Sequence, residues 1–258
     1  MTEKELDEKS VRDNLVLKTA LTAGRIMMEN GSEVARVEDT MKRIAKNAGI
    51  EHSKIFIMVT GILMSIQDGA GAQIEPVTKR TFDLQKIVVV NDLSRQYAHH
   101  DITLDEFARQ LNELDKNSLY FPFWLQLLAA AFVSGPLEVV FRHNYNLCDF
   151  LITCLVGAIG WAIFYYLSKL VRVRFVSEFI ASVVIAVLAM VSVHFGLGIN
   201  SDDIIIGSVM PLVPGVPITN AMRDVLDGNL VSGPARAVEA GMSAAAIGLG
   251  IAMVIQFY

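Results

Sequence analysis

The 258-residue chain is 53% hydrophobic with a mean hydropathy of +0.44, and its formal net charge is −5. A mixed-sign, slightly acidic balance excludes the basic surface that nucleic acid requires, so no nucleic-acid partner is expected. Cys148 and Cys154 are the only cysteines, too few for a disulfide framework or a zinc site, and no metal or other cofactor is expected.

Charge divides the chain in two. Residues 1–119 hold 16 Lys/Arg and 19 Asp/Glu, while the remaining 139 hold 6 and 8. The division predicts an α+β cytosolic domain over 1–119 followed by a five-span transmembrane domain over 120–258. The first ten residues are acidic with no apolar core, so no signal peptide is expected and the N-terminus is placed in the cytoplasm.

In chain order, Ser10 is a candidate cap for a first helix with Val16, Ala20, Ala23 and Met27 at helical spacing and Gly31 as its stop. A second helix from Ser32 places Val34, Val37, Met41 and Ile44 on one face and ends at Gly49. Glu33, Arg36 and Glu38 lie on its polar face, where pairs such as Glu38 with Lys42 read as surface ion pairs. Runs at 54–59, 62–67 and 73–81 are rich in β-branched and aromatic residues and predict three strands. Asp83 opens a helix to about Ala98, and Thr103-Leu-Asp-Glu106 forms a capping box for another through Leu114. His99-His100-Asp101 reads as a solvated turn. The domain contains no P-loop, dinucleotide fingerprint or serine elbow.

A membrane helix needs about 20 mostly apolar residues. Five candidates follow, at 121–140, 150–167, 179–195, 204–219 and 241–258. The first is interrupted by Gly135-Pro136 and carries Glu138, a candidate proton-coupling group, because desolvation raises a carboxyl's proton affinity. The fourth contains Pro211, Pro214, Gly215 and Pro217, and three prolines in seven residues preclude a continuous helix. Unwound backbone at membrane depth persists only where protein or a wet cavity satisfies it, the usual construction of a transporter's substrate site. The expected substrate pathway is Pro211, Pro214, Gly215, Pro217, Thr219, Asn220 and Asp224, with Asn220 capping an amphipathic helix that ends at Gly228. A short helix opened by Gly233-Pro234 then leads into the last span. Basic residues at 169–174, 223 and 236 assign those loops to the inside and leave Tyr258 outside.

The segments Gly31-Ser-Glu-Val-Ala-Arg-Val-Glu-Asp-Thr-Met41, Val90-Asn-Asp-Leu-Ser-Arg95 and Pro211-Leu-Val-Pro-Gly-Val-Pro217 through Asp227-Gly228 together resemble the threonine/serine exporter family, in its form split into two small proteins. The resemblance covers nearly the whole chain. It implies a proton-driven secondary exporter in a bacterial plasma membrane that moves threonine and serine or, in a split pair, succinate. It also implies a second five-span subunit, a homo-oligomer, or both. Two other readings stand beside it: a hydrolase anchored by the spans, and a regulatory or assembly subunit.

Overall fold

The computed structural model describes residues 3–66, 71–117, 121–142, 146–171 and 173–257. Two units emerge from the packing: residues 1–119 with Val216–Ala237, and Tyr120–Gly215 with Val238–Tyr258. The first therefore takes back a piece of chain from beyond the proline cluster.

Within the first unit, α1 (Glu3–Glu29) and α2 (Val34–Asn47) are followed by an antiparallel meander of β1 (Ser53–Met58), β2 (Gly61–Ile66) and β3 (Ala72–Pro76), then by α3 (Leu84–Ala98) and α4 (Leu104–Lys116). Strand order is β1-β2-β3, with Phe56 opposite Leu63 and Leu63 opposite Ile74. Gln67, expected to end the second strand, lies outside the described residues. The core centres on α1, whose Val16, Leu17, Ala20 and Ala23 are fully buried with Met41 and Ile44 of α2, Ile62 and Met64 of β2, and Phe107 and Leu111 of α4. Side chains every three or four residues line one helical face, which is why one helix reaches all the others.

Local signals act as their chemistry dictates at several boundaries. Asp83 accepts from the amides of Gln85 and Lys86, and Thr103 from that of Glu106. Gly31 and Gly49 take left-handed φ values of +91° and +87° just past α1 and α2, where a side chain would be strained. Ser10 does not cap α1: the helix already runs from Glu3 through it, because an acidic, straight-chain segment extends a helix whose next turns are held by the core.

In the second unit the burial pattern is reversed. Its helices are α5 (Phe123–Arg142), α6 (Leu147–Leu170), α7 (Arg174–His194), α8 (Ser201–Val209) with a 3₁₀ turn over Met210–Leu212, and part of α10 (Ser232–Ile255); α9 (Gly215–Leu226) follows the break. Leu147, Leu151 and Leu155, one helical turn apart on α6, are each more than half exposed, as are Trp124 and Phe132 on α5. Ser134, Asp149, Thr153, Ser177, Glu178, Ser182 and Ser208 are fully buried. Apolar outside and polar inside is the arrangement lipid selects.

Among the described residues, four helices are long and apolar enough to cross a membrane, and a fifth crossing exists only if the broken pair of Ser201–Leu212 and Gly215–Leu226 counts as one span. At 1.5 Å per residue the 12 residues from 201 to 212 cover roughly 18 Å, short of a hydrocarbon core of roughly 30 Å. Two expectations are corrected. Pro136 lies inside α5 without interrupting it, since one missing amide donor is tolerated where helices pack on both sides. Gly233-Pro234 opens no separate short helix, because Pro234 falls in the first turn of a continuous 24-residue α10, where its missing donor has no partner to lose.

Arg25 ties the first unit together. Its guanidinium pairs with Glu29 at 3.2 Å, Glu75 at 2.8 Å and Asp115 at 2.8 Å, joining α1, β3 and the end of α4. The hydrogen bond from Arg25 holds the Asp115 carboxyl below its ordinary range, against the opposing effect of burial. A carboxylate whose folded pKa is depressed contributes stability above its unfolded pKa and loses it as pH falls through the folded value. Arg25→Met is expected to cost about 2 kcal/mol near neutral pH, the discount from a fully buried pair reflecting partial exposure. Thermal melts of the detergent-purified chain from pH 7 down to pH 3 should show the gap between wild type and variant narrowing toward acid.

Candidate functional site

The proline cluster resolves into one true interruption. Pro211 sits in the 3₁₀ turn that continues α8 without a break, and Pro217 in the first turn of α9, where its missing amide has no intrahelical partner to lose. Only Val213, with extended backbone (φ −62°, ψ 128°), and Pro214 separate the two helical stretches. The unwound region is thus narrower than the Pro211-to-Pro217 span expected from sequence.

Ahead of that interruption, in the second unit, α8 packs against α5, α6 and α7. Gly207 is what permits it. A Cβ there would lie 2.5 Å from Thr153 Cγ2, 2.7 Å from Glu138 Cβ and 2.9 Å from the Ser134 carbonyl oxygen. Gly157 admits Ser134 in the same way, with Oγ only 2.0 Å from where a Cβ would stand. The result is a polar centre: Ser134 and Glu138 one turn apart on α5, Asp149 and Thr153 one turn apart on α6, and Ser208 on α8. Ser208 donates to the Thr153 carbonyl at 3.3 Å, and Asp149 accepts from the Ile199 amide at 2.6 Å. The hydroxyls of Ser134 and Thr153 make no hydrogen bond among the described residues. Glu138 is 3% exposed. A third buried carboxylate, Glu178 on α7, accepts from Ser243 of α10, and Gly250 of α10 lies against Ser182 of α7.

Beyond the interruption, in the first unit, α9 packs its polar face inward. Asn220 and Asp224, one turn apart, are buried. Asn220 is interior to α9 and caps nothing, since the helix already begins at Gly215; its side chain instead donates to the Gly31 carbonyl at 2.7 Å. Asp224 accepts from the Val34 amide at 2.9 Å, an N-terminal donor of α2 that the helix leaves unpaired, and pairs with Arg236 at 3.0 Å. Arg223 pairs with Glu33, and Ser232 donates to the Ile57 carbonyl at 3.2 Å.

The predicted residues therefore fall into two groups. Pro211, Pro214, Gly215 and Glu138 belong to the second unit, whereas Pro217, Thr219, Asn220, Asp224, Glu33, Arg36 and Glu38 belong to the first. Asn220 and Asp224 meet the segment carrying Glu33; Thr219 is exposed; Glu38 pairs with Lys42 on the surface. Sequence reading passed over Asp149, Arg236 as an ion-pair partner, and Ser32. For Asp149 a signal existed: Asp149, Thr153 and Gly157 recur every four residues in an otherwise apolar helix.

Buried carboxylates among lipid-facing apolar helices, a broken helix and the family motifs agree with the comparison to known proteins, in which the threonine/serine exporter family model matches residues 18–258. The chain belongs to the threonine/serine exporter family. It is also 22% identical over 249 residues to a threonine/serine exporter of Corynebacterium glutamicum, an alignment covering 92% of this chain and 50% of that protein. The chain thus spans about half the length of the curated relative it matches. No solved structure matches. The family is one of exporters, and it gives the anchored-hydrolase reading no support.

Arg236→Ala removes the cation facing a fully buried carboxylate, and breaking a buried pair from one side costs roughly 3 kcal/mol or more. A thermal melt of the variant should fall well below wild type, and adding Asp224→Asn should recover part of the loss, because the orphaned charge is then gone.

Proposed function

We propose that this chain is one subunit of a secondary exporter that moves threonine and serine outward, driven by the proton gradient. Support comes from Glu138, a carboxylate buried on a helix with an apolar outer face and packed against Gly207, three residues ahead of the 3₁₀ turn that precedes the interruption. Ionisable groups inside a membrane are expensive to place and are usually retained for function, and proton coupling is the role given to Glu138 in this reading. The solute path in this reading runs along the Val213-Pro214-Gly215 backbone, where the chain leaves helical geometry between α8 and α9. Pro211, Pro217 and Thr219 flank that path.

In this reading the chain works with a second five-span subunit or with a second copy of itself, because transporter folds are commonly built from two related repeats. The basic loops favour a cytoplasmic N-terminus, a cytosolic domain over 1–119 and, with the broken pair crossing once, an external C-terminus in a bacterial plasma membrane. Succinate is the competing substrate, since it shares the carboxylate that a helix N-terminus would attract.

The test is efflux of radiolabelled threonine from proteoliposomes, with serine and succinate as competitors, using the chain alone and co-purified with a second five-span protein. A Cβ at Gly215 meets no atom within 4 Å, so Gly215→Leu obstructs a path without a packing clash, and Pro214→Ala restores the missing donor. Both are expected to reduce efflux tenfold or more, and Glu138→Gln to abolish its response to an imposed pH gradient. Wild-type rates in all three would discard the site.

A further inference from the structure

All three segments that carry the family resemblance, through Ser32-Glu33, Asn91-Arg95 and Val216 with Asn220, meet at a cavity of 540 Å³ in the first unit, walled by α2, α3 and the start of α9. Its volume lies in the range of roughly 300–1,000 Å³ typical of small-molecule sites. Arg36 and Arg95 line it, and neither forms an ion pair among the described residues. Asp92 and Glu33 supply negative charge on the same wall, Glu33 already partnered by Arg223. Ser32 also lines the cavity, 3% exposed, and its hydroxyl makes no hydrogen bond among the described residues. Native proteins rarely leave a buried hydroxyl unpaired, and the exceptions point to a missing ligand or solvent. Exposed Leu84 and Val88 of α3 add an apolar patch for a short side chain.

The geometry points to a binding site for a free α-amino acid in this cavity. Arg36 and Arg95 take the carboxylate, whose two oxygens match a guanidinium fork. Asp92 takes the ammonium, and Ser32 hydrogen-bonds the ligand. With Glu33 neutralised by Arg223, Arg36 and Arg95 stand against Asp92, an arrangement that takes a carboxylate at the arginines and an ammonium at Asp92; a phosphate or a dicarboxylate would set its second negative charge against Asp92. Val216 and Asn220 of α9 line the same cavity, so an occupant bears on the helix that begins directly after Pro214. The choice of amino acid rests on the exporter reading, and the site serves as a sensing or loading position for the solute being exported.

Equilibrium dialysis of the full-length chain in detergent with radiolabelled L-threonine, L-serine and succinate tests this. Threonine and serine are expected to bind, and succinate at least tenfold more weakly. Arg36→Ala and Arg95→Ala are each expected to weaken amino-acid binding tenfold or more with melting temperatures unchanged, Arg36→Lys to recover part of it, and Arg109→Ala, on the exposed face of α4, to have no effect. Wild-type binding by both Ala variants, tighter binding of succinate, or no binding at all would overturn the site. Efflux measured on the same preparations separates the two readings. Transport that persists while cavity binding is absent removes this site and leaves the exporter intact; binding without transport by any assembly does the opposite.

Discussion

Lipid offers no hydrogen bonds, and that single constraint organises the second unit. Every polar group there must be met by protein or by enclosed solvent, so serines, threonines and carboxylates turn inward and leucines and phenylalanines turn out. The same constraint decides where a helix can be interrupted. α8 ends in a 3₁₀ turn and an extended residue only after packing against three other helices, and Gly207 makes that contact possible because its missing side chain lets α8 approach Ser134, Glu138 and Thr153. The glycine and the interruption are two parts of one device: the first brings a buried acid close, and the second leaves backbone that is not committed to a helix.

On the far side of the interruption the physics changes. α9 follows it by one residue, yet the partners of its polar face are backbone groups of the first unit: the Gly31 carbonyl and the Val34 amide, both at the α1–α2 junction. These groups are orphaned by helix termini, and side chains from 190 residues away satisfy them where a local cap would ordinarily serve. Glu33 stands at the N-cap position of α2 with no side-chain bond to the helix's own amides, and its carboxylate is directed to Arg223. A sequence segment that looks like an ordinary helix start is therefore an acceptor and donor surface for a distant helix.

The chain's punctuation was legible where it acts over one turn. Asp83, Thr103, Gly31 and Gly49 end or begin helices for reasons confined to their neighbours, and reading them needed no knowledge of the fold. Prolines were harder because their effect depends on position within a helix. Pro217 and Pro234 occupy first turns and cost nothing, Pro136 is absorbed within α5, and only Pro214 marks the interruption. Glu138 and Asn220 show the other limit: each was singled out from sequence, but what surrounds it comes from residues tens or hundreds of positions away.

By itself the sequence determined the composition of each half, the long apolar helices, the three-stranded meander and the presence of a helix that proline interrupts, because hydropathy, periodicity and missing amide donors are local properties. Tertiary structure alone decided that residues 216–237 return to the first unit, that Asp224 joins Val34 to Arg236, that Asp149 and Glu178 are fully buried, and that three family segments line one cavity. These depend on which surfaces meet across long sequence separations, a matter of packing shape and charge that no window of neighbouring residues contains.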